Sequence, residues 1–139
     1  FYLELGRTVA WGVQPMVCNI KDSLFTDPEL DAARRFMLDT ARFYHANRAF
    51  LFDGQMLSPA GLACPSEPVD FLIRSIFTKE HECKPRHAEQ PAVLHSCWQA
   101  PDGQKALILV NWTRRAQPWA FNGQNGVLPA RSYGKTILP

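Results

Sequence analysis

Apolar positions follow a helical period before residue 57 and a two-residue alternation after residue 69. Residues 1–12 place Tyr2, Leu5 and Val9 on one face, widened by Leu3 and Ala10. They predict one or two helical turns stopped at Gly12. Residues 13–18 (VQPMVC) predict a short strand, kept from a central position by Pro15, which donates no ladder hydrogen bond. A polar loop at 19–26 leads to a helix start: Asp27 can cap, Pro28 suits the first position and Glu29 favours the positive dipole end. One long helix is predicted over about 28–52. Leu30, Ala33, Met37, Ala41, Tyr44 and Leu51 share a stripe, which Phe36, Phe43, Asn47 and Phe50 widen. Asp53-Gly54 closes it, with Gly54 read as a left-handed cap. So wide a face requires covering, by the β region or by another copy.

Residues 58–68 (SPAGLACPSEP) hold three of the 11 prolines and predict a linker. Residues 69–77 predict a strand with Val69, Phe71, Ile73 and Phe77 on one side; residues 78–90, rich in charge, predict a loop. In 92–99, Leu94 and Trp98 face one way and Val93, His95 and Cys97 the other. Pro101-Asp102-Gly103 supplies a turn, and 106–112 is so apolar that both faces are expected to be covered. Trp119 and Phe121 continue an alternating strand, and Asn122-Gly123 and Asn125-Gly126 read as turns. Residues 127–138 supply one or two more short strands. The fold class is therefore α+β: a helical segment at 1–57, a linker at 58–68, and an antiparallel β-sandwich-like domain of about five strands at 69–139.

Composition narrows the function. Hydrophobic residues make up 46% and charged residues 20%, a balance that supports a packed core. The formal charge of +2, with both signs interspersed, gives no footprint for nucleic acid or an anionic membrane, and no apolar run reaches spanning length. The chain begins mid-pattern without Met, which reads as a truncated start, so localisation stays open.

Candidate chemistry is sparse. Cys18, Cys64, Cys83 and Cys97 are irregularly spaced; His81, Cys83 and His87 form H-x-C-x3-H, which an ordinary polar loop explains better than a metal site. No cofactor is expected. The four histidines form no pattern with a serine or cysteine nucleophile. Trp98, Trp112 and Trp119 invite a carbohydrate-stacking reading against the competing one of core packing; Trp119, after Pro118, is the best platform. The sequon Asn111-Trp112-Thr113 ends an apolar strand and carries no function here.

Three segments carry a resemblance: GRTVAWGVQPM, ARRFMLDTARFYHANRAFLFDGQMLSP and PAVLHSCWQAPDGQKALILVNWT. Together they resemble the C-terminal region of α-galactosidase-like glycoside hydrolases, including large bacterial relatives. There a late helix runs into the last barrel strand, the final barrel helix follows, and an accessory β-sandwich begins. The resemblance implies carbohydrate metabolism and a catalytic carboxylate pair upstream of this chain. The chain by itself is then not catalytic. It also implies a secreted or periplasmic parent and packing of residues 1–57 against a barrel. Gln14, Asn19 and Asp22, beside the presumed strand, become candidates for binding sugar hydroxyls, although loop Asn and Asp commonly bond their own backbone. Two other readings stay open: a carbohydrate-binding β-module acting through Trp119, and an interaction or homo-oligomerisation domain.

Overall fold

The computed structural model describes residues 1–16, 20–58, 61–73, 79–82 and 84–139. The helices are α1 (Tyr2–Ala10), α2 (Ser23–Thr26), α3 (Asp31–Ala46) and α4 (Arg48–Leu51). The strands are β1 (Gln55–Leu57), β2 (Ser66–Ile73), β3 (Lys84–Pro91), β4 (Val93–Gln99), β5 (Lys105–Asn111), β6 (Gln117–Phe121), β7 (Gln124–Leu128) and β8 (Ser132–Leu138). The α+β class is as the sequence indicates.

A four-stranded antiparallel sheet, ordered β1-β4-β5-β8, forms the middle layer. Its centre is β5, whose apolar residues are buried on both faces as the sequence requires. Ala106, Ile108 and Val110 join Trp98 in a core shared with Leu5, Val9, Phe36, Phe50 and Leu51 of the helices. Leu107 and Leu109 join Val93 and Cys97 against Phe121 and Leu128 of the β6–β7 hairpin. The helices thus cover one face and the hairpin the other. The wide stripe predicted for the long helix is covered in part within the chain: Phe36, Phe50 and Leu51 are buried, the ring of Tyr133 on β8 stacks 5.1 Å from both Phe36 and Phe43, and Ala41 stays exposed.

The long helical run is realised in pieces. Asp27 accepts from the Glu29 amide and caps a 3-10 turn at Pro28–Leu30, after which α3 begins. Asn47 interrupts the run: its backbone and side-chain amides both donate to the Phe43 carbonyl, at 3.1 and 2.9 Å. The Asn47 carbonyl then accepts from Phe50 and Leu51 and starts α4, which drops both residues into the core.

Several expectations require correction. Residues 13–16 form no strand; 17 and 18 lie outside the described residues. Gly54 is not a left-handed cap. It is needed because a Cβ there would lie 2.3 Å from the Phe50 carbonyl oxygen and 2.8 Å from that of Gln99. The anticipated linker contains the start of β2, and the anticipated loop at 78–90 contains β3, which pairs with β2 from Ser66↔Pro91 to Ile73↔Lys84. On β2, Phe71 is exposed, and Phe77 lies outside the described residues. Asn122-Gly123 does turn, with φ of 47° and 80°, but Asn125-Gly126 lies inside β7. The connection is not a plain meander, because β8 returns past the β6–β7 hairpin to pair with β5.

Candidate functional site

Gly12 ends α1 with φ +66°, and the Val13 amide still bonds the Thr8 carbonyl at 2.8 Å. This fixes the direction in which the chain leaves the helix and lays Gln14 and Pro15 beside α3 and α4. Between them runs an open groove of about 360 Å³, lined by Gln14, Pro15, Ala41, Tyr44, His45, Arg48 and Phe52. The helical contributors recur at three- and four-residue steps along the rim of the core, where Tyr44 packs against it and His45, Arg48 and Phe52 are exposed.

The groove is more apolar than polar, with Gln14, His45, Arg48 and the Tyr44 hydroxyl set among apolar groups. The Tyr44 hydroxyl reaches the Gly12 carbonyl at 3.5 Å, a long hydrogen bond that ties α3 to the α1 exit. Burial, and then the nearby Asp53 carboxylate, raise the Tyr44 pKa, so the phenol stays protonated and serves as a donor. Arg48 sits 3.5 Å from Asp53 and 5.8 Å above the Phe52 ring, while Phe52 is 63% exposed. Amide, imidazole and guanidinium groups beside an open aromatic face can hydrogen-bond a polyol and cover its apolar side. The residues lining the groove include no carboxylate pair of the kind that glycoside hydrolysis employs.

Of the sequence candidates, the structure brings Gln14 into this groove. Asp22 is exposed at the start of α2, where its carbonyl accepts from Phe25 and Thr26 at 2.9 and 3.2 Å and its carboxylate makes no cap bond. Asn19 lies outside the described residues. Trp119 is on the far side of the sheet, half-buried against the β6–β7 core. In the sequence Tyr44 reads only as a member of the apolar stripe, and His45, Arg48 and Phe52 are not site candidates, although their spacing is a legible helical pattern.

The remaining groups are structural in character. Trp98 is buried and donates to Ser96 Oγ at 2.8 Å. Cys64 and Cys97 are free thiols, and burial raises the pKa of Cys97. Cys18 and Cys83 lie outside the described residues; His87 pairs with Asp70. Among the described residues no group of three or more His, Cys, Asp or Glu could hold a metal, and no helix is long and apolar enough to cross a membrane. No family model, curated protein or solved structure matches the chain.

Proposed function

We propose that the chain is the C-terminal part of a glycoside hydrolase-like protein. In this reading it is a non-catalytic unit that lends polar contacts to a carbohydrate site and docks its helical layer on a barrel. The observation that carries the reading is the distribution of exposed apolar side chains. Of the 12 large hydrophobics exposed among the described residues, nine precede residue 57: Phe1, Trp11, Val13, Met16, Ile20, Phe25, Leu38, Phe52 and Met56. Among the described residues the β region exposes three: Phe71, Val127 and Ile137. Apolar surface concentrated on one part of a fold marks a place where further protein sits. The Gln14 groove opens in that same part and offers hydrogen-bonding groups suited to sugar hydroxyls.

The test is hydrolysis of an aryl-glycoside and oligosaccharide panel by a protein carrying this segment at its C-terminal end. The expected result is hydrolysis by the carrier, a raised KM in its Gln14→Ala variant, and no turnover by the 139-residue chain. A carrier inactive on the whole panel, or turnover by the chain alone, overturns the proposal. Self-association is the competing explanation for the exposed surface. Light scattering that gives a monomer at high concentration removes it.

A further inference from the structure

A second groove, of about 510 Å³, which shares no lining residue with the first, opens among Tyr2, Glu67, Trp112, Arg114 and Arg115. Its construction differs from that of an ordinary surface loop. The β5–β6 connection that carries Trp112, Arg114 and Arg115 is pinned from beneath by a buried polar network. Asn111 is fully buried, and its amide donates to the carbonyls of Arg115, Leu128 and Pro129 at 2.7, 3.0 and 2.8 Å. Its Oδ1 accepts from the amide and hydroxyl of Thr113, at 2.9 and 2.8 Å. Gln117, also buried, donates to Thr113 Oγ1 and to Glu67, each at 3.0 Å. A satisfied network of this kind holds a short loop in one shape.

What the loop presents is an aromatic ring beside two guanidinium groups. Trp112 is half-buried, and its indole N–H is fixed by the Pro91 carbonyl at 2.9 Å, which sets the plane of the ring. Arg115 is held by Glu67 at 2.5 Å. Arg114 is exposed and makes no hydrogen bond or ion pair with any described residue. Two guanidiniums against one carboxylate leave the groove with one positive charge, and the Glu67 oxygen that faces Arg115 is already occupied. Arg131 stacks 4.0 Å over Tyr2 and keeps that second ring in place.

We propose that this groove binds an acidic saccharide, with the apolar face of a uronate ring against Trp112 and its carboxylate on Arg114 and Arg115. A fixed indole suits the flat apolar face of a sugar ring. Guanidinium forks match a carboxylate in two parallel hydrogen bonds. The volume lies within the range of small-ligand sites. A long polyanion fits less well, since the chain carries a net charge of only +2 without a basic stripe. The site shares no lining residue with the Gln14 groove and does not require a barrel, so its failure leaves the proposed glycoside hydrolase-like function untouched.

Calorimetric titration of the chain with di- and trigalacturonate, with the neutral galacto-oligosaccharides and with sodium acetate tests it. Expected is binding of the uronates, at least about tenfold weaker binding of the neutral sugars, and a loss of about tenfold or more in Arg114→Ala. Trp112→Phe, which keeps a ring but loses indole area and the Pro91 bond, is expected to weaken uronate binding while the fold is retained. Arg114 has no partner among the described residues, so its variant is expected to keep the wild-type melting temperature. The proposal is overturned by no uronate binding at about 10 mM, by neutral sugars binding equally well, by acetate competing as strongly as uronate, or by Arg114→Ala binding unchanged.

Discussion

The indole of Trp119 lies on the bare Cα of Gly126, its antiparallel partner across the β6–β7 hairpin. A Cβ on Gly126 would lie 3.1 Å from Trp119 Nε1 and Cζ2. The ring therefore spends a face on the hairpin's own glycine and packs towards Phe121 and Leu128. Trp119→Ala is expected to destabilise the chain by about 2 kcal/mol, the scale for removing a half-covered aromatic. Gly126→Val, which must displace the ring, is expected to destabilise it too. Urea denaturation midpoints check both. Saccharide binding unchanged by Trp119→Ala would fit a packing role; loss of binding without loss of stability would reassign Trp119 as a platform.

Thr40 and Tyr133 join the helical layer to the sheet edge through a partly buried hydrogen bond between their hydroxyls, and Thr40 also donates to the Phe36 carbonyl at 2.7 Å. Burial raises the Tyr133 pKa above the ordinary phenol range, so the group is neutral at any working pH. Thr40→Val leaves the phenol without its partner and is expected to cost about 1–3 kcal/mol. Tyr133→Phe on top of it should cost less than it does alone. A double-mutant cycle measures this, and strictly additive values would show that the bond contributes nothing.

These two contacts mark what could be read from the sequence and what could not. Strands β4 and β5 and their turn were legible because period-two alternation and a run buried on both faces leave a direct pattern. Helix α1 was legible for the same reason at period 3.6. β3 (KPRHAEQP) was not: most of its residues are exposed and it is specified by backbone pairing with β2, which leaves no apolar signature. The three residues of β1 exist because β4 offers an edge. The two Asn-Gly pairs carry the same local signal. Tertiary packing decides between them, since Phe121 and Leu128 must both reach the core and Trp119 needs Gly126 beneath it. The Gln14 groove was half legible. The spacing of Ala41, Tyr44, Arg48 and Phe52 is visible in the sequence as helical periodicity, but nothing local says that residues 13–16 run beside them.

Gly12 is the point at which that groove depends on backbone conformation. Its φ is +66°, and a Cβ would fall 2.3 Å from Trp98 Cη2 and 3.1 Å from the Leu51 carbonyl oxygen. Gly12→Ala thus combines left-handed strain with displacement of a buried indole, and an expected cost of about 2–4 kcal/mol follows. A shift in tryptophan fluorescence should accompany the lower denaturation midpoint. A variant as stable as the wild type would mean that the α1 exit is not held as described.

Asn111→Ala removes one donor from three buried or half-buried carbonyls and the acceptor that positions Thr113. Each orphaned group costs on the order of 1 kcal/mol or more, so a total of about 3 kcal/mol or greater is expected. Since Asn111 is fully buried, its sequon should also remain unmodified in folded protein exposed to a glycosylating system. Mass spectrometry showing quantitative glycosylation of native chain would contradict the placement of this side chain.

Glu67 gives the network a pH dependence of known sign. The Arg115 hydrogen bond, assisted by Gln117 and opposed by partial burial, holds its carboxyl below the ordinary glutamate value. A group depressed in the folded state contributes stability that is fully present above its unfolded pKa, about 4.3, and is lost as pH falls through the folded value. The wild type should therefore lose more stability than Glu67→Gln between pH 7 and pH 3, because glutamine keeps a hydrogen-bonding amide but cannot titrate. Denaturant midpoints at the two pH values give the comparison. If the wild-type advantage over Glu67→Gln is the same at both, the carboxylate is not the group that fixes Arg115. The loop that carries Arg114 and Trp112 must then be held by Asn111 and Thr113 alone.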